Sequence, residues 1–304
     1  MRKVSLSTVF ALVVAIVAVS ASAPMIAFAA APALAIAFWR NALGAAALAP
    51  VALRQGRARP DRRALGVTVL SGVFLAVHFG TWVPSAKLTS VAMSVALVST
   101  TPVWTALVAA LRGVRVPGST WTGIGIAVAG VALATGADPD LSGRALLGDG
   151  LALAGGMAAA GYTLLGERAR ASLTTSVYAS VCYGICAALI VVVCLATGAR
   201  LWGYTWSTWL AIAGMTIGPQ LLGHTLINYA LHRVSATTVA VLLLLEVPGA
   251  LVIAWVLLGQ LPAARTLPGI ALLLAGVAVV VLGGRRRQPT NGGTIISPEA
   301  IGTT

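Results

Sequence analysis

The sequence predicts an all-helical integral membrane protein, with ten transmembrane helices arranged as two inverted five-helix repeats. Three observations carry this reading. Of the 304 residues, 59% are hydrophobic and only 9% are charged, whereas ordinary globular chains carry about 25% charged residues. A bilayer-crossing helix takes about 20 apolar residues, and the chain offers such runs in series with short connections, leaving no length for a separate soluble catalytic domain. Finally, the chain matches itself at a fixed offset, and its basic residues fall on alternate connections.

Apolar runs bounded by Pro, Gly or charge give the spans Ser5–Ala23, Ala31–Leu53, Ala64–Trp82, Val91–Leu111 and Ser119–Gly136, then Leu147–Gly166, Ser176–Thr197, Thr208–Leu231, Thr237–Leu258 and Thr266–Gly283. The first run follows Arg2 and Lys3 and ends in Ala-Ser-Ala, the pattern of a cleavable signal peptide. Retention is the preferred reading, because the apolar character continues through Ala37 and the repeat needs this helix. The organisation expected is a first repeat over residues 1–137, a second, inverted one over 147–284, and a polar, disordered cytoplasmic tail over 285–304.

The charge distribution sets the orientation. There are 20 Lys and Arg against 7 Asp and Glu, a net charge of +13. In a soluble chain this would suggest nucleic acid, but a membrane protein gathers Lys and Arg in its cytoplasmic loops, so no nucleic-acid partner is expected. With the N-terminus inside, the inner side collects Arg2, Lys3, Arg54, Arg57, Arg59, Arg62, Arg63, Arg112, Arg115, Arg168, Arg170, Arg233, Arg285, Arg286 and Arg287, against Lys87, Arg144, Arg200 and Arg265 outside. Both termini are therefore expected on the cytoplasmic side of the inner membrane. Cys182, Cys186 and Cys194 share one apolar stretch and lack a His or acid at metal-ligand spacing, so they read as small core residues.

Laying His78 on His224 aligns, without a gap, Gly72 with Gly218, Pro102 with Pro248, Gly113 with Gly259, Thr120 with Thr266, Gly123 with Gly269, Ile124 with Ile270 and Gly130 with Gly276. Two copies of five spans each force the second to insert upside down, which is the architecture of alternating-access carriers with a solute site between the halves. Lys87 falls outside and its counterpart Arg233 inside, as inversion requires.

The chain resembles the EamA-type carriers of the drug/metabolite transporter superfamily. The resemblance rests on His78, Phe79, Gly80, Thr81 and Trp82 with Thr89 to Ala92 in the first half, and on Gly223, His224, Thr225, Asn228, Glu246, Pro248 and Leu258-Gly259 in the second. It spans nearly the whole chain and implies a membrane exporter of amino acids, other metabolites or toxic compounds. Two departures stand out: Val114 and Gln260 occupy places where relatives often carry Glu, and Val247 separates Glu246 from Pro248.

Polar residues at bilayer depth are costly and mark functional candidates. Glu246, deep in the ninth span, is the leading one: burial disfavours its charged form, which suits a group that takes up and releases a proton. The alternative is a structural acid paired with Arg40 or a helix end. His78 and His224 hold equivalent places in the two copies and are proton-coupling candidates, each with a larger polar or aromatic residue four positions on, Trp82 and Asn228, hence on one helix face. The bland alternative is a ring bonded to a neighbouring helix.

Solute-binding candidates are Asn228, Trp82, Arg40, Tyr162, Thr100 and Gln220. Arg40 would either clamp a solute carboxylate or serve structure by neutralising Glu246 or snorkelling. Trp104, Trp202, Trp206 and Trp209 read as interfacial or packing aromatics, and Gly123, Gly125, Gly130, Gly155, Gly156, Gly269 and Gly276 as close helix contacts. Pro102 and Pro248 should break the fourth and ninth spans and free carbonyls near the midplane.

No nucleophile set, metal spacing or phosphate loop appears, so no cofactor and no catalytic residue is expected. The expected activity is proton-coupled export of a small-molecule solute such as an amino acid, with protons and the lipid bilayer as further partners. Export of lipophilic cations is the second reading, and a lipid-acting membrane enzyme using His78, His224 and Glu246 the third. Small-residue faces fit a monomer or a homodimer alike.

Overall fold

The computed structural model describes residues 5–55, 61–89, 91–135, 142–259, 264 and 267–285. Among them every regular element is a helix. Seven helical stretches are long and apolar enough to cross a membrane: Leu6–Phe28, Ala33–Gln55, Arg62–Leu88, Met93–Leu111, Thr175–Ala196, Trp206–Ala230 and Ala236–Ile253, with shorter apolar helices at Gly118–Leu133 and Leu267–Leu282. The remaining expected span forms a helix of 27 residues, Gly143–Ala169, which carries Arg144, Asp149 and Glu167 and is less apolar. The predicted tail beyond Arg285, and the predicted placements of Arg2, Lys3, Arg57, Arg59, Gln260, Arg265, Arg286 and Arg287, lie outside the described residues.

In chain order the helices are α1 (Leu6–Ser20), α2 (Ser22–Phe28), α3 (Ala33–Gln55), α4 (Arg62–Leu88), α5 (Val91–Val98), α6 (Thr101–Leu111) and α7 (Gly118–Thr135) in the first half. The second half has α8 (Gly143–Ala169), α9 (Thr175–Ala196), α10 (Trp206–Met215), a π-helix (Thr216–His224), α11 (Thr225–Ala230), α12 (Ala236–Leu243), α13 (Glu246–Leu258) and α14 (Leu267–Arg285). Hydroxyl caps fix several starts: Ser5, Ser142, Thr174 and Ser235 each accept a backbone N–H three residues on, which satisfies a donor that the first turn leaves free. α6 and α13 both stop at a glycine in the left-handed region, Gly113 at φ 78° and Gly259 at φ 67°, a conformation that glycine alone adopts without penalty.

Four of the sequence-predicted spans are interrupted. The first breaks at Ala21 and the fourth at Ser99 and Thr100. The eighth widens into the π-helix, and the ninth breaks at Leu244 and Leu245. The breaks in the fourth and ninth spans sit just before Pro102 and Pro248, whose missing N–H releases a carbonyl one turn back. The third span runs on past its expected end at Trp82 to Leu88, and Lys87 at its last turn reaches the Ala29 carbonyl at 2.7 Å.

Helix contacts repeat under exchange of the two halves. α3 packs on α9 and α7 on α14, each helix meeting its own counterpart. α4 lies along α8 while α1 lies along the π-helix and α11. The α7–α14 seam is closed by glycine: a Cβ on Gly123 would stand 2.7 Å from the Gly276 carbonyl, and one on Gly130 would stand 2.8 Å from the Gly269 carbonyl and from Leu273 Cα. Apolar side chains elsewhere face outward, among them Phe10, Val17, Leu195 and Val256, as a lipid-facing surface requires. The three cysteines are buried and unpaired.

Because the obstacle at Gly130 is backbone, Gly130→Ala should destabilise the fold by about 1–3 kcal/mol. Gly125→Ala, whose Cβ would meet nothing within 4 Å, should be neutral or slightly stabilising. Thermal unfolding of the two purified variants in the same detergent checks the contrast.

Candidate functional site

Where the interrupted helices meet, they leave a small cavity of about 80 Å³ that is partly open to the outside. Its wall takes Val19 and Ser22 from the first break, Val98 to Pro102 except Thr100 from the second, His224 from the π-helix, and Leu243, Leu244 and Glu246 from the fourth. Regular helices complete it with His78, Trp82, Ala159, Tyr162 and Thr163. A broken helix at membrane depth is tolerated where it lines such a space, since the released backbone groups can turn to the cavity or to side chains.

Glu246 opens α13, so its carboxylate sits at the positive end of that helix, the end that favours an anion. Among the described residues nothing donates a hydrogen bond or forms an ion pair to it, and it is only partly buried, facing the cavity.

The two histidines converge on the same wall. Their ring centres are 6.4 Å apart, His78 stacks on Trp82 at 5.6 Å, and His224 sits edge-on to Phe79 at 5.2 Å and to Tyr162 at 6.2 Å. They differ in their bonding. His78 donates through Nδ1 to the Gly155 carbonyl at 2.9 Å, which fixes its tautomer, whereas His224 Nδ1 has no partner.

Tyr162 donates to Asn228 Oδ1 at 2.8 Å. Asn228 stands behind the lining with its Nδ2 unpartnered, and Trp82 Nε1 and Ser99 Oγ are likewise buried without partners. Buried polar groups are nearly always satisfied, so the three unmet groups on residues of the lining, His224 Nδ1, Trp82 Nε1 and Ser99 Oγ, mark the wall where a polar ligand would find partners.

Besides Asn228, three predicted solute contacts stand outside the lining. Arg40 is fully buried but does not line the cavity. Its Nε donates to Gln220 Oε1 at 2.8 Å, its Nη1 to Ser22 Oγ at 3.0 Å, and its guanidinium lies 4.4 Å over the Phe79 ring. It makes no ion pair with Glu246 among the described residues, so the expected neutralisation does not occur. Gln220 is spent on Arg40 and on Asn41 Oδ1, to which Nε2 donates at 3.0 Å. Thr100 turns back to the Leu97 carbonyl at 2.7 Å and accepts from Trp104 Nε1 at 3.1 Å, because a hydroxyl at a helix break bonds the nearest free carbonyl.

Sequence reasoning did not select Ser22, Ser99 or Thr101. Their signal was the small hydroxyl next to a break, legible only once the break before Pro102 is taken to expose its neighbours.

Two related halves of membrane-crossing helices, around a largely apolar cavity into which a carboxylate and two histidines project, define a membrane transporter. The model of the EamA-like transporter family matches this chain twice, over residues 6–136 and 146–282, and the chain belongs to that family. A solved structure titled only as the crystal structure of a protein is similar in fold, at 22% identity over 92% of this chain and 98% of its own, with a TM-score of 0.76. The comparison with curated proteins gives no match.

The Arg40 network should be structural. Arg40→Lys keeps the charge but not the planar fork that serves Gln220 and Ser22 together, and should cost about 1–3 kcal/mol of stability. Solute affinity of the folded fraction should be retained. A thermal-unfolding series read alongside ligand binding separates the two effects.

Proposed function

We propose that the chain is an alternating-access secondary carrier that exports a small polar metabolite, such as an amino acid, in exchange for protons. It would work as ten spans in two inverted five-helix repeats, 1–137 and 147–284, with both termini cytoplasmic in the inner membrane. The exchange of equivalent helix contacts between the halves supports the inverted arrangement, since an odd number of spans per copy reverses the second.

The observation that carries the functional reading is an unpaired carboxylate, Glu246, sharing one membrane-embedded cavity with the unpartnered His224, Trp82 and Ser99. An amine can meet the first while a carboxylate meets the indole N–H, with Asn228 behind Tyr162. Glu246 is the proton carrier, and His224, whose Nδ1 is free, is its partner. His78, tied to Gly155, has the lesser role. Proton and solute amine compete for Glu246, so each displaces the other as the halves rock.

Export of lipophilic cations is the second reading, favoured by the aromatic wall of Trp82, Tyr162 and the His78 ring facing the same carboxylate. Aromatic faces attract such cations.

In proteoliposomes under an imposed pH gradient, Glu246→Gln should abolish proton-driven flux while solute binding persists; undiminished flux in this variant would sink the coupling assignment. Excess neutral amino acid should compete with the transported solute in wild type. Competition by a lipophilic cation alone would instead select the second reading.

A further inference from the structure

A second, open depression, with a lining separate from that of the central cavity, lies where α8 ends and α9 begins. Arg170, Ser172, Thr174, Thr175, Ser176 and His232 line it. Arg170 caps the C-terminus of α8 and is 6% exposed. Its Nε donates to the Asn228 carbonyl at 3.0 Å, while its Nη1 is buried with no partner. A guanidinium stays charged, and burying that charge without an anion is unfavourable. Among the described residues no carboxylate pairs with it. Glu167, one turn earlier on α8, instead accepts from the Ala236 N–H at 3.0 Å.

The other groups of the depression are donors of the same kind. α9 is 22 residues long and starts at Thr175 with Thr174 as its cap. That cap accepts from Val177 N, leaving the N–H groups of Thr175 and Ser176 without an intrahelical partner. His232 donates its Nδ1–H to the Arg170 carbonyl at 2.7 Å. Arg54, Arg168 and Arg233 surround this end of the molecule and raise the local concentration of anions.

We propose that this depression binds a phosphoryl group, with the Arg170 guanidinium, the first N–H groups of α9 and the Thr175 and Ser176 hydroxyls as its donors. Several donors converging from a guanidinium, a helix start and side-chain hydroxyls suit an oxyanion with three terminal oxygens. They do not suit a metal ion, which would need acidic oxygens. The phosphoryl group comes either from a soluble phosphate or from an anionic phospholipid headgroup, since the site lies at a helix end on the basic face.

Calorimetric titration of inorganic phosphate into the full chain in an uncharged detergent, and into nanodiscs of phosphatidylcholine or phosphatidylglycerol, tests the site. Saturable phosphate binding is expected in detergent and in phosphatidylcholine. Its loss in phosphatidylglycerol identifies the lipid headgroup as the occupant, and its persistence there identifies a soluble phosphate. Ser176→Asp places a carboxylate in the depression at a helix start that tolerates it, so the fold is kept while phosphate affinity should fall about tenfold or more. Arg170→Gln should lose affinity likewise. No saturable binding in detergent, or the same affinity in folded Ser176→Asp as in wild type, would overturn the proposal.

Discussion

Inside a bilayer no water is present to satisfy a released backbone group, and the architecture of this protein follows from how it meets that constraint. At the breaks in the first and fourth spans a short hydroxyl side chain takes up a carbonyl: Ser20 bonds Ile16 at 2.7 Å, Thr100 bonds Leu97 at 2.7 Å and Thr101 bonds Val98 at 2.7 Å. In the π-helix the Gln220 carbonyl accepts from both Tyr183 and Thr225 at 3.3 Å. These repairs allow three of the four interrupted helices to lose their regular winding around a common space. The cavity is thus a product of helix breaks, with polar side chains carried in on the broken ends.

A second set of bonds stabilises this arrangement. Arg40 on α3 connects Ser22 on α2, Gln220 on the π-helix and the face of Phe79 on α4. One buried cation therefore joins both halves just behind the cavity wall, and Asn41 extends the network to the same Gln220. Glu246, at the start of α13, is the carboxylate of the cavity lining. Charge is distributed across the site by the helices that bear it, with no ion pair to cancel it among the described residues.

The equivalence of the two halves does not extend to their chemistry. His78 and His224 occupy matched positions, yet one is tied to a carbonyl and the other is free. Thr100 and Glu246 are also counterparts, and here too one repairs backbone while the other faces the cavity. The two halves share a frame, but it is the second that carries the cavity's carboxylate, Glu246, and the histidine whose Nδ1 has no partner, His224.

Much of this was legible in the residues themselves. Apolar runs fixed the helical membrane class, the offset match of His78 with His224 disclosed two related halves, and Pro102 and Pro248 marked two of the helix breaks. Glu246, His78, His224, Trp82 and Tyr162 were all selected from their depth in apolar segments, and all line one cavity. Tertiary structure alone decided the roles of Arg40, Gln220 and Thr100, because a buried polar residue advertises that it needs a partner without saying which. Spacing along one helix cannot show that Gln220 bonds Arg40 from the other half, nor that Ser22 and Ser99 reach the cavity. Those outcomes depend on which helices meet, and that is set by packing between segments far apart in the chain.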